Sequence, residues 1–257
     1  MAKWTAYPYD TAEYQRDAAT LKKHWARLHT GDAEPWPKDT AVQAAWALFH
    51  AGHFQQAVEA GLKAGGAGIT VANKAQAIHA NYLEKSEKNK LALFLEVAER
   101  AAAQQVEEPG NANAHYWQAY ALGRYSQGIS VAKALSQGLG SKVKTALETA
   151  IKLQPKHADA HIALGAFHAE VIDKVGKLLG KTQGADASTG LKMFREALKL
   201  NPTSAIAMVE YANGLVMLEG DKKMAEAEQL YADAAAAEAQ DAMERLDVEM
   251  AKAELED

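Results

Sequence analysis

The sequence contains no cysteine, which excludes disulfide bonds, thiolate catalysis and cysteine-bound metals. This absence is typical of a cytoplasmic protein, with a disulfide-free periplasmic protein as the alternative. No apolar stretch approaches the roughly 20 residues that span a bilayer. The first residues also lack the apolar run of a signal peptide. We therefore expect a cytoplasmic protein without membrane insertion, or a periplasmic one whose leader lies outside this sequence.

An excess of positive charge is also lacking. With 28 Lys and Arg residues against 33 Asp and Glu residues, the net charge is −5 at pH 7. No basic stripe with interleaved aromatic residues occurs, which argues against nucleic-acid binding. Only six prolines occur, aromatic residues make up 7% of the chain, and alanine is abundant. This composition predicts an all-α protein.

One short stretch, GKLLGKTQG at residues 176–184, ends like a phosphate-binding P-loop. That motif requires a glycine five places before Gly180, on a loop between a strand and a helix. Val175 occupies that place, and the apolar residues around it recur at helical spacing. The stretch therefore predicts the end of a helix followed by a flexible loop, and no nucleotide site.

Three histidines share one predicted helix: His157, His161 and His168. A zinc site would need further ligands beside them, and His115 occupies the repeat position of His161, which favours a structural role. No Gly-x-Ser-x-Gly or His-Glu-x-x-His sequence occurs. The sequence thus predicts no catalytic residues, no metal and no cofactor, and we expect a protein that is not an enzyme.

Three prolines mark an internal repeat. Pro109, Pro155 and Pro202 lie 46 and 47 residues apart, and each precedes a similar phrase: ANAHYWQA, ADAHIALG and AIAMVEYA. Two of these prolines also close matching helices, which read ALETAIKLQP and MFREALKLNP. A related copy lies upstream at residues 45–64, whereas residues 72–108 match poorly. The repeat covers most of residues 38–240 in four imperfect units.

These phrases resemble the tetratricopeptide (TPR) repeat, whose second helix carries a large residue, an alanine three places later and a proline five places after that. Phe194, Ala197 and Pro202 have this spacing. The resemblance implies an α-solenoid of TPR-like helical hairpins with a C-terminal capping helix. We predict one domain, with an N-terminal helix and loop at 1–37, repeats at 38–240 and the capping helix at 241–257.

Two successive units are longer than the usual repeat of about 34 residues. The extra residues form two inserts, 126–142 and 169–188, which begin with helical apolar spacing and end in glycines. Because they occupy equivalent places, we expect them to project from the same edge. TPR-like units with long inserts resemble the T component of tripartite periplasmic transporters and the regulator-of-microtubule-dynamics family.

The resemblance places one set of side chains on a concave groove, where Asn, Arg and aromatic residues suit partner recognition. The predicted partner-binding residues are Trp46, Phe49, His50, Asn113, Tyr116, Tyr120, Arg124 and Asn213. Further groove positions are Asp159, Ile162, Glu170 and Met217.

These positions predict a non-enzymatic interaction or assembly module for an unidentified protein or peptide. The alternative is a small-ligand-binding accessory protein of a transporter, with a pocket covered by the inserts. Homo-oligomerisation is left open.

Overall fold

The computed structural model describes residues 4–256, and within that range the chain forms helices and no strand. The α-helices are α1 (Ala18–Leu28), α2 (Thr40–His50), α3 (Phe54–Ala64), α4 (Gly68–Tyr82), α5 (Glu87–Glu107), α6 (Ala112–Gln127), α7 (Val131–Ser136), α8 (Leu139–Leu153), α9 (Ala158–Thr182), α10 (Ala187–Leu200), α11 (Ala205–Glu219), α12 (Met224–Ala235) and α13 (Ala242–Glu256). The all-α prediction is confirmed. No helix within residues 4–256 combines the length and the apolar character that a bilayer crossing requires.

The helices pack as consecutive hairpins, each against the next. The pairs are α2 with α3, α4 with α5, α6 with α8, α9 with α10, and α11 with α12, and the second helix of each pair packs on the first helix of the following one. Neighbouring hairpins bury a continuous core, as in a solenoid. The TPR-like architecture is therefore confirmed, whereas the proposal that residues 1–257 are one domain with the stated borders stays a prediction.

Small residues let the hairpins approach closely around Phe194. A Cβ built on Gly165 of α9 would lie 2.9 Å from the Phe194 ring, and one built on Gly214 of α11 would overlap that ring. Phe194 of α10 is itself only 1% exposed. The repeat pattern of a large residue facing small ones is thus explained by contact between three helices.

We predict that Gly214→Ala destabilises the protein by about 1–2 kcal/mol, because the added methyl group displaces Phe194 from a packed core. The control is Gly123→Ala in α6, where a Cβ would meet no atom within 4 Å. Since alanine is the better helix former, that change should stabilise the protein by about 0.5–1 kcal/mol. Urea unfolding of both variants measures the difference, and equal effects would contradict this account of the packing.

Residues 72–108, which match the repeat pattern poorly, belong to a further hairpin, α4–α5. Five places before Pro109, where the later units carry alanine, stands Gln104. Its side-chain amide donates to Thr70 Oγ1 at 2.9 Å, and Arg100 Nε donates to Asn73 Oδ1 at 2.6 Å. The two helices are therefore joined by polar contacts, which an apolar repeat pattern does not detect.

The two inserts have different structures. The first contains the separate short helix α7, whereas the second prolongs α9 to Thr182 across a break at Gly176, which has φ 79°. After the break, Gly180 packs back against α9, since a Cβ built there would lie 3.2 Å from Ile172 Cγ1. The predicted helical beginnings of both inserts are confirmed, and the helical part of the second reaches further than its glycines suggest.

The last helix does more than cover the end of the solenoid. Helix α13 packs on α11 and α12, as the predicted capping helix does, and also returns to the first helices of the chain. Arg27 of α1 makes two hydrogen bonds to the carboxylate of Glu244, at 2.6 and 3.1 Å. His50 at the end of α2 contacts Asp241 at 2.6 Å. The two ends of the described chain are thus joined across the solenoid.

Candidate functional site

A cavity of about 190 Å³ lies between α6, α8 and α9. Its walls are mainly apolar, with Trp117, Ile162, Phe167 and Leu147 among them. Both inserts contribute a wall, through Val131 and Leu135 of α7 and through Lys174 and Val175 of α9. We call this space the insert cavity.

A second cavity of about 270 Å³ adjoins the first. The two share five lining residues: Tyr82, Arg124, Ala166, Glu170 and Glu210. The second cavity is more polar and extends towards Asn213 and Met217 of α11. The two cavities are therefore adjacent, and we call them together the groove.

Arg124 stands where the two cavities meet. Its guanidinium lies 2.9 Å from Glu210 Oε1 and 5.4 Å from the centre of the Tyr120 ring. Both partners of the ion pair are partly exposed, at 24% and 15% of their side-chain surface. An Arg held between a carboxylate and an aromatic face is preorganised for contact with a planar or anionic group.

Two carboxyl groups line the same groove, Glu170 half-buried and Asp247 buried. Gln127 Nε2 donates to Glu170 Oε1 at 2.7 Å, and burial raises the pKa of Glu170 above its usual value. The Tyr82 hydroxyl donates to Asp247 Oδ1, and burial raises the pKa of Asp247 well above its usual range. These groups can offer hydrogen bonds to a bound molecule, and nothing around them forms a nucleophile with an adjacent base.

Helix α13 supplies one side of the groove. Met243 and Asp247 line the insert cavity, while Met250 and Glu254 line the second cavity. Part of the concave surface of the solenoid is therefore filled by the last helix of the chain. The space left open faces α6, α9 and α11.

The structure separates the predicted site residues into two sets. Tyr116, Tyr120 and Arg124 line the insert cavity, and Arg124 and Asn213 line the second one. Asn213 also accepts a hydrogen bond of 2.6 Å from the Tyr231 hydroxyl. The further groove positions follow the same division: Asp159, Ile162 and Glu170 line the first, and Met217 lines the second. Whether any of them contacts a partner stays a prediction.

The remaining predicted residues lie away from both cavities. Trp46, Phe49 and His50 are fully buried, and Asn113 is 3% exposed. Helix α1 and His29, which follows it, cover Trp46 and His50. The His29 and Trp46 ring centres lie 4.6 Å apart, and those of Trp25 and Trp46 lie 5.7 Å apart. Their side chains are closed to a partner in this conformation, so we do not include them in the proposed site.

Among the residues that line the groove, Tyr82, Glu210 and Asp247 were not identified by their repeat positions. Tyr82 ends α4, in the hairpin without the alanine signal, and Asp247 belongs to the helix that folds back. Glu210 lies on α11 three places before Asn213, so helical spacing from Asn213 is the signal that identifies it.

Asn113 belongs to a buried polar group at the N-terminal end, which we call the Asp32 cluster: His29, Asp32, Glu34, Lys74 and Asn113. Asp32 contacts Lys74 Nζ at 2.5 Å and His29 Nδ1 at 2.8 Å. Asn113 Nδ2 donates to Glu34 Oε2 at 2.6 Å. All five are at most 7% exposed. The cluster joins the loop after α1 to α4 and α6.

Charge is distributed unevenly within the cluster. Although burial raises the pKa of Asp32, His29 and Lys74 outweigh it and hold that pKa well below its usual value. Burial, with Asp32 nearby, raises the pKa of Glu34 to about 8. Burial also lowers the pKa of His29 to about 4. At neutral pH, Asp32 and Lys74 therefore form the charged pair, and Glu34 holds a proton.

We predict that Glu34→Gln abolishes a decrease in the free energy of unfolding that the wild type shows at alkaline pH. Because the folded pKa of Glu34 lies above its unfolded value, its contribution is present below about pH 4.5 and is lost as pH rises through about 8. The glutamine keeps an oxygen for Asn113. Urea unfolding should show equal stabilities at pH 4 and a variant more stable by about 1–2 kcal/mol at pH 9. A difference that does not change with pH would contradict the assignment.

The histidines and the GKLLGKTQG stretch make contacts that hold helices and loops together. His157 Nε2 lies 2.9 Å from Asn113 Oδ1, and His168 Nδ1 accepts from the backbone of Asp186 at 3.1 Å. Lys181 and Thr182 belong to the last turn of α9, not to a loop that precedes a helix. Within residues 4–256, no group of three or more His, Asp or Glu side chains is placed to hold a metal ion.

Helices α4 to α13, which carry most of the groove, coincide with a recognised sequence family. Residues 70–256 match the family described as Regulator of microtubule dynamics protein 1-3. The chain belongs to this family. The resemblance to the regulator-of-microtubule-dynamics family seen in the sequence is thereby confirmed for this part of the chain. No curated protein matches the chain.

The structure also resembles a solved one, the crystal structure of a thermophilic TPR protein in Thermus thermophilus. The match covers 83% of this chain and 97% of that chain, with a TM-score of 0.59 and 16% sequence identity. At that identity the likeness shows the fold alone. This member of the regulator-of-microtubule-dynamics family therefore has a TPR-like fold.

Proposed function

We propose that this protein is a non-enzymatic interaction module that holds a segment of a protein partner in the groove. The observation that supports the proposal is the pair of adjacent cavities between α6, α9 and α11, with Arg124 lining both. It lies on the side where α13 already packs, so the same surface is suited to binding a helix or an extended segment.

The two cavities suit different parts of such a segment. Trp117, Ile162 and Phe167 in the insert cavity favour an apolar anchor side chain. Asn213 and Glu210 in the second cavity favour polar contacts beside that anchor. Aromatic and Arg residues together are typical of the side chains that dominate binding energy at protein interfaces.

Site-directed photo-crosslinking tests this proposal. A photoreactive amino acid replaces Met217, which is 37% exposed and lines the groove, and in a control it replaces Leu153, which is 41% exposed and lines neither cavity. In cells that produce the protein naturally, position 217 should give a defined covalent product and position 153 should not. If position 217 gives no product, or both positions give the same one, the proposal is wrong.

A small apolar ligand is the second candidate, because both inserts wall the insert cavity. At about 190 Å³, however, this cavity is smaller than the roughly 300–1,000 Å³ of most ligand pockets, which favours an anchor side chain. Neither match is a transporter component, so this candidate rests on the cavity alone. Native mass spectrometry would support it by showing a bound molecule in the wild type that is absent from Gly123→Trp, whose new side chain would enter the cavity.

A further inference from the structure

Four large apolar side chains project into solvent from the two inserts. Leu178 is 83% exposed, Leu179 59%, Leu135 49% and Val131 42%. The two inserts border the same cavity, through Val131 and Leu135 of α7 and through Lys174, Val175 and Gln183 of the second insert. Apolar side chains that protrude together on adjacent segments are typical of an interaction surface.

Five exposed lysines surround them: Lys133, Lys142, Lys174, Lys177 and Lys181. None of the five forms an ion pair with another residue in the part of the chain that the structure describes. Residues 126–142 contain no acid, and 169–188 contain three. Glu170 faces the groove, and Asp186 caps α10 by accepting from Thr189 N at 2.8 Å. The third acid, Asp173, is exposed beside Lys174. Five exposed lysines outnumber it, so this surface is basic in a chain whose net charge is −5.

The outward direction of Leu178 and Leu179 follows from the backbone. The break at Gly176 separates the turn Lys177–Thr182 from the rest of α9. Gly180, on the opposite side of that turn, is buried and packs against Ile172. Because Gly180 takes the inward position, the two leucines between Lys177 and Lys181 point outward.

We propose that this insert face, formed by the four apolar side chains and five lysines, docks on a lipid bilayer that contains anionic lipids. The leucines enter the headgroup region, and the lysines pair with lipid phosphates. The contact is peripheral and involves one leaflet only. It is a second interaction surface beside the groove, and the two share Val131, Leu135 and Lys174 at the rim of the insert cavity.

The positive charge of the insert face favours an anionic bilayer over a second copy of the chain as its partner. In a symmetric dimer through this face, the five lysines of each copy would meet those of the other, with Asp173 as the one exposed acid among them. A bilayer, in contrast, offers many phosphates beside an apolar layer and needs no complementary shape. Short protruding leucines flanked by lysines match that arrangement.

Vesicle sedimentation tests the proposal with the full-length protein. We expect binding to phosphatidylcholine vesicles that contain phosphatidylserine, little binding to pure phosphatidylcholine, and weakening by salt. Leu178→Ser/Leu179→Ser and Lys174→Glu/Lys177→Glu/Lys181→Glu should each reduce the affinity by about tenfold or more. The matched control, Lys63→Glu/Lys88→Glu/Lys156→Glu, changes three exposed lysines elsewhere by the same net charge and should bind more tightly than the insert triple variant.

Thermal unfolding verifies that each variant is folded. We expect all of them to fold, because the substituted side chains are exposed. Equal binding to both kinds of vesicle, or equal losses in the insert and control triple variants, would overturn the proposal. So would light scattering that shows a dimer of the wild type and a monomer of the leucine variant. In that case the insert face joins two copies of the chain.

Discussion

Replacing Asp32 with alanine is expected to lower the free energy of unfolding by about 3–5 kcal/mol. Asp32 is 2% exposed and is the carboxylate partner of Lys74, which is equally buried. Without Asp32, the ammonium group remains beside the rings of Trp46, Phe49 and Trp117, at 5.1–6.0 Å from their centres. Aromatic faces attract a cation, but they replace only part of the lost ion pair. Urea unfolding at pH 7 measures the effect.

Two further variants make this result interpretable. Asp32→Ala/Lys74→Met removes both charges and should recover much of the loss, because a buried ion pair exchanged for apolar side chains is often nearly neutral. Lys90→Met removes one partner of the surface pair Lys90–Glu87, at 2.9 Å, and should cost at most about 0.5 kcal/mol. A double variant as unstable as Asp32→Ala would show that the charge of Lys74 is not the cause.

Replacing Asp241 with alanine is expected to detach α13 and to cost about 2–4 kcal/mol. Asp241 accepts from Glu244 N at 2.8 Å, which caps the start of α13, and a lost cap costs about 1 kcal/mol. The change also leaves His50 Nδ1, which is fully buried, without its partner at 2.6 Å, at a cost of about 1–3 kcal/mol. Both losses fall on the junction between the two ends of the described chain.

Hydrogen exchange measured by mass spectrometry distinguishes detachment from general loosening. Amides of α13 and of α1 should exchange faster in Asp241→Ala, while those of α10 should not change. The control is Asp233→Ala, which removes an exposed carboxylate from α12 whose contact is Gln229 Nε2 at 2.9 Å. Unchanged exchange in α13 would contradict the view that Asp241 holds this helix against the first repeats.

The repeat spacing predicted much of the fold, because it reports which residues face the neighbouring hairpin. Phe194, Ala197 and Pro202 occupy the places that the TPR pattern assigns them. The α4–α5 hairpin was not recognised, because Gln104 and Arg100 replace small apolar contacts with hydrogen bonds. A pattern built on residue size does not identify a helix pair that is joined by polar groups.

The predicted site residues on α6 and α11 mostly line the groove, whereas those on α2 do not. Tyr120, Arg124 and Asn213 line the groove at positions that the TPR resemblance assigns to it. His50 occupies an equivalent register position but is buried, since Asp241, 191 residues away, contacts it. Register defines the face on which a side chain lies, and a distant segment decides whether that face stays open.

The central claim is that the groove binds the partner segment, and a steric block tests it most directly. Gly123 lines the insert cavity, and Gly110 lies in the turn between α5 and α6, outside both cavities. A Cβ at either glycine meets no atom within 4 Å, so a side chain can leave the backbone without a clash at both. The two variants therefore differ in where the new side chain projects.

Calorimetric titration of the segment captured by crosslinking compares these two variants with the wild type. The groove account predicts that Gly123→Trp weakens binding by about tenfold or more, equivalent to about 1.4 kcal/mol, while Gly110→Trp binds as the wild type does. Wild-type affinity in Gly123→Trp, or equal weakening in both variants, would contradict it.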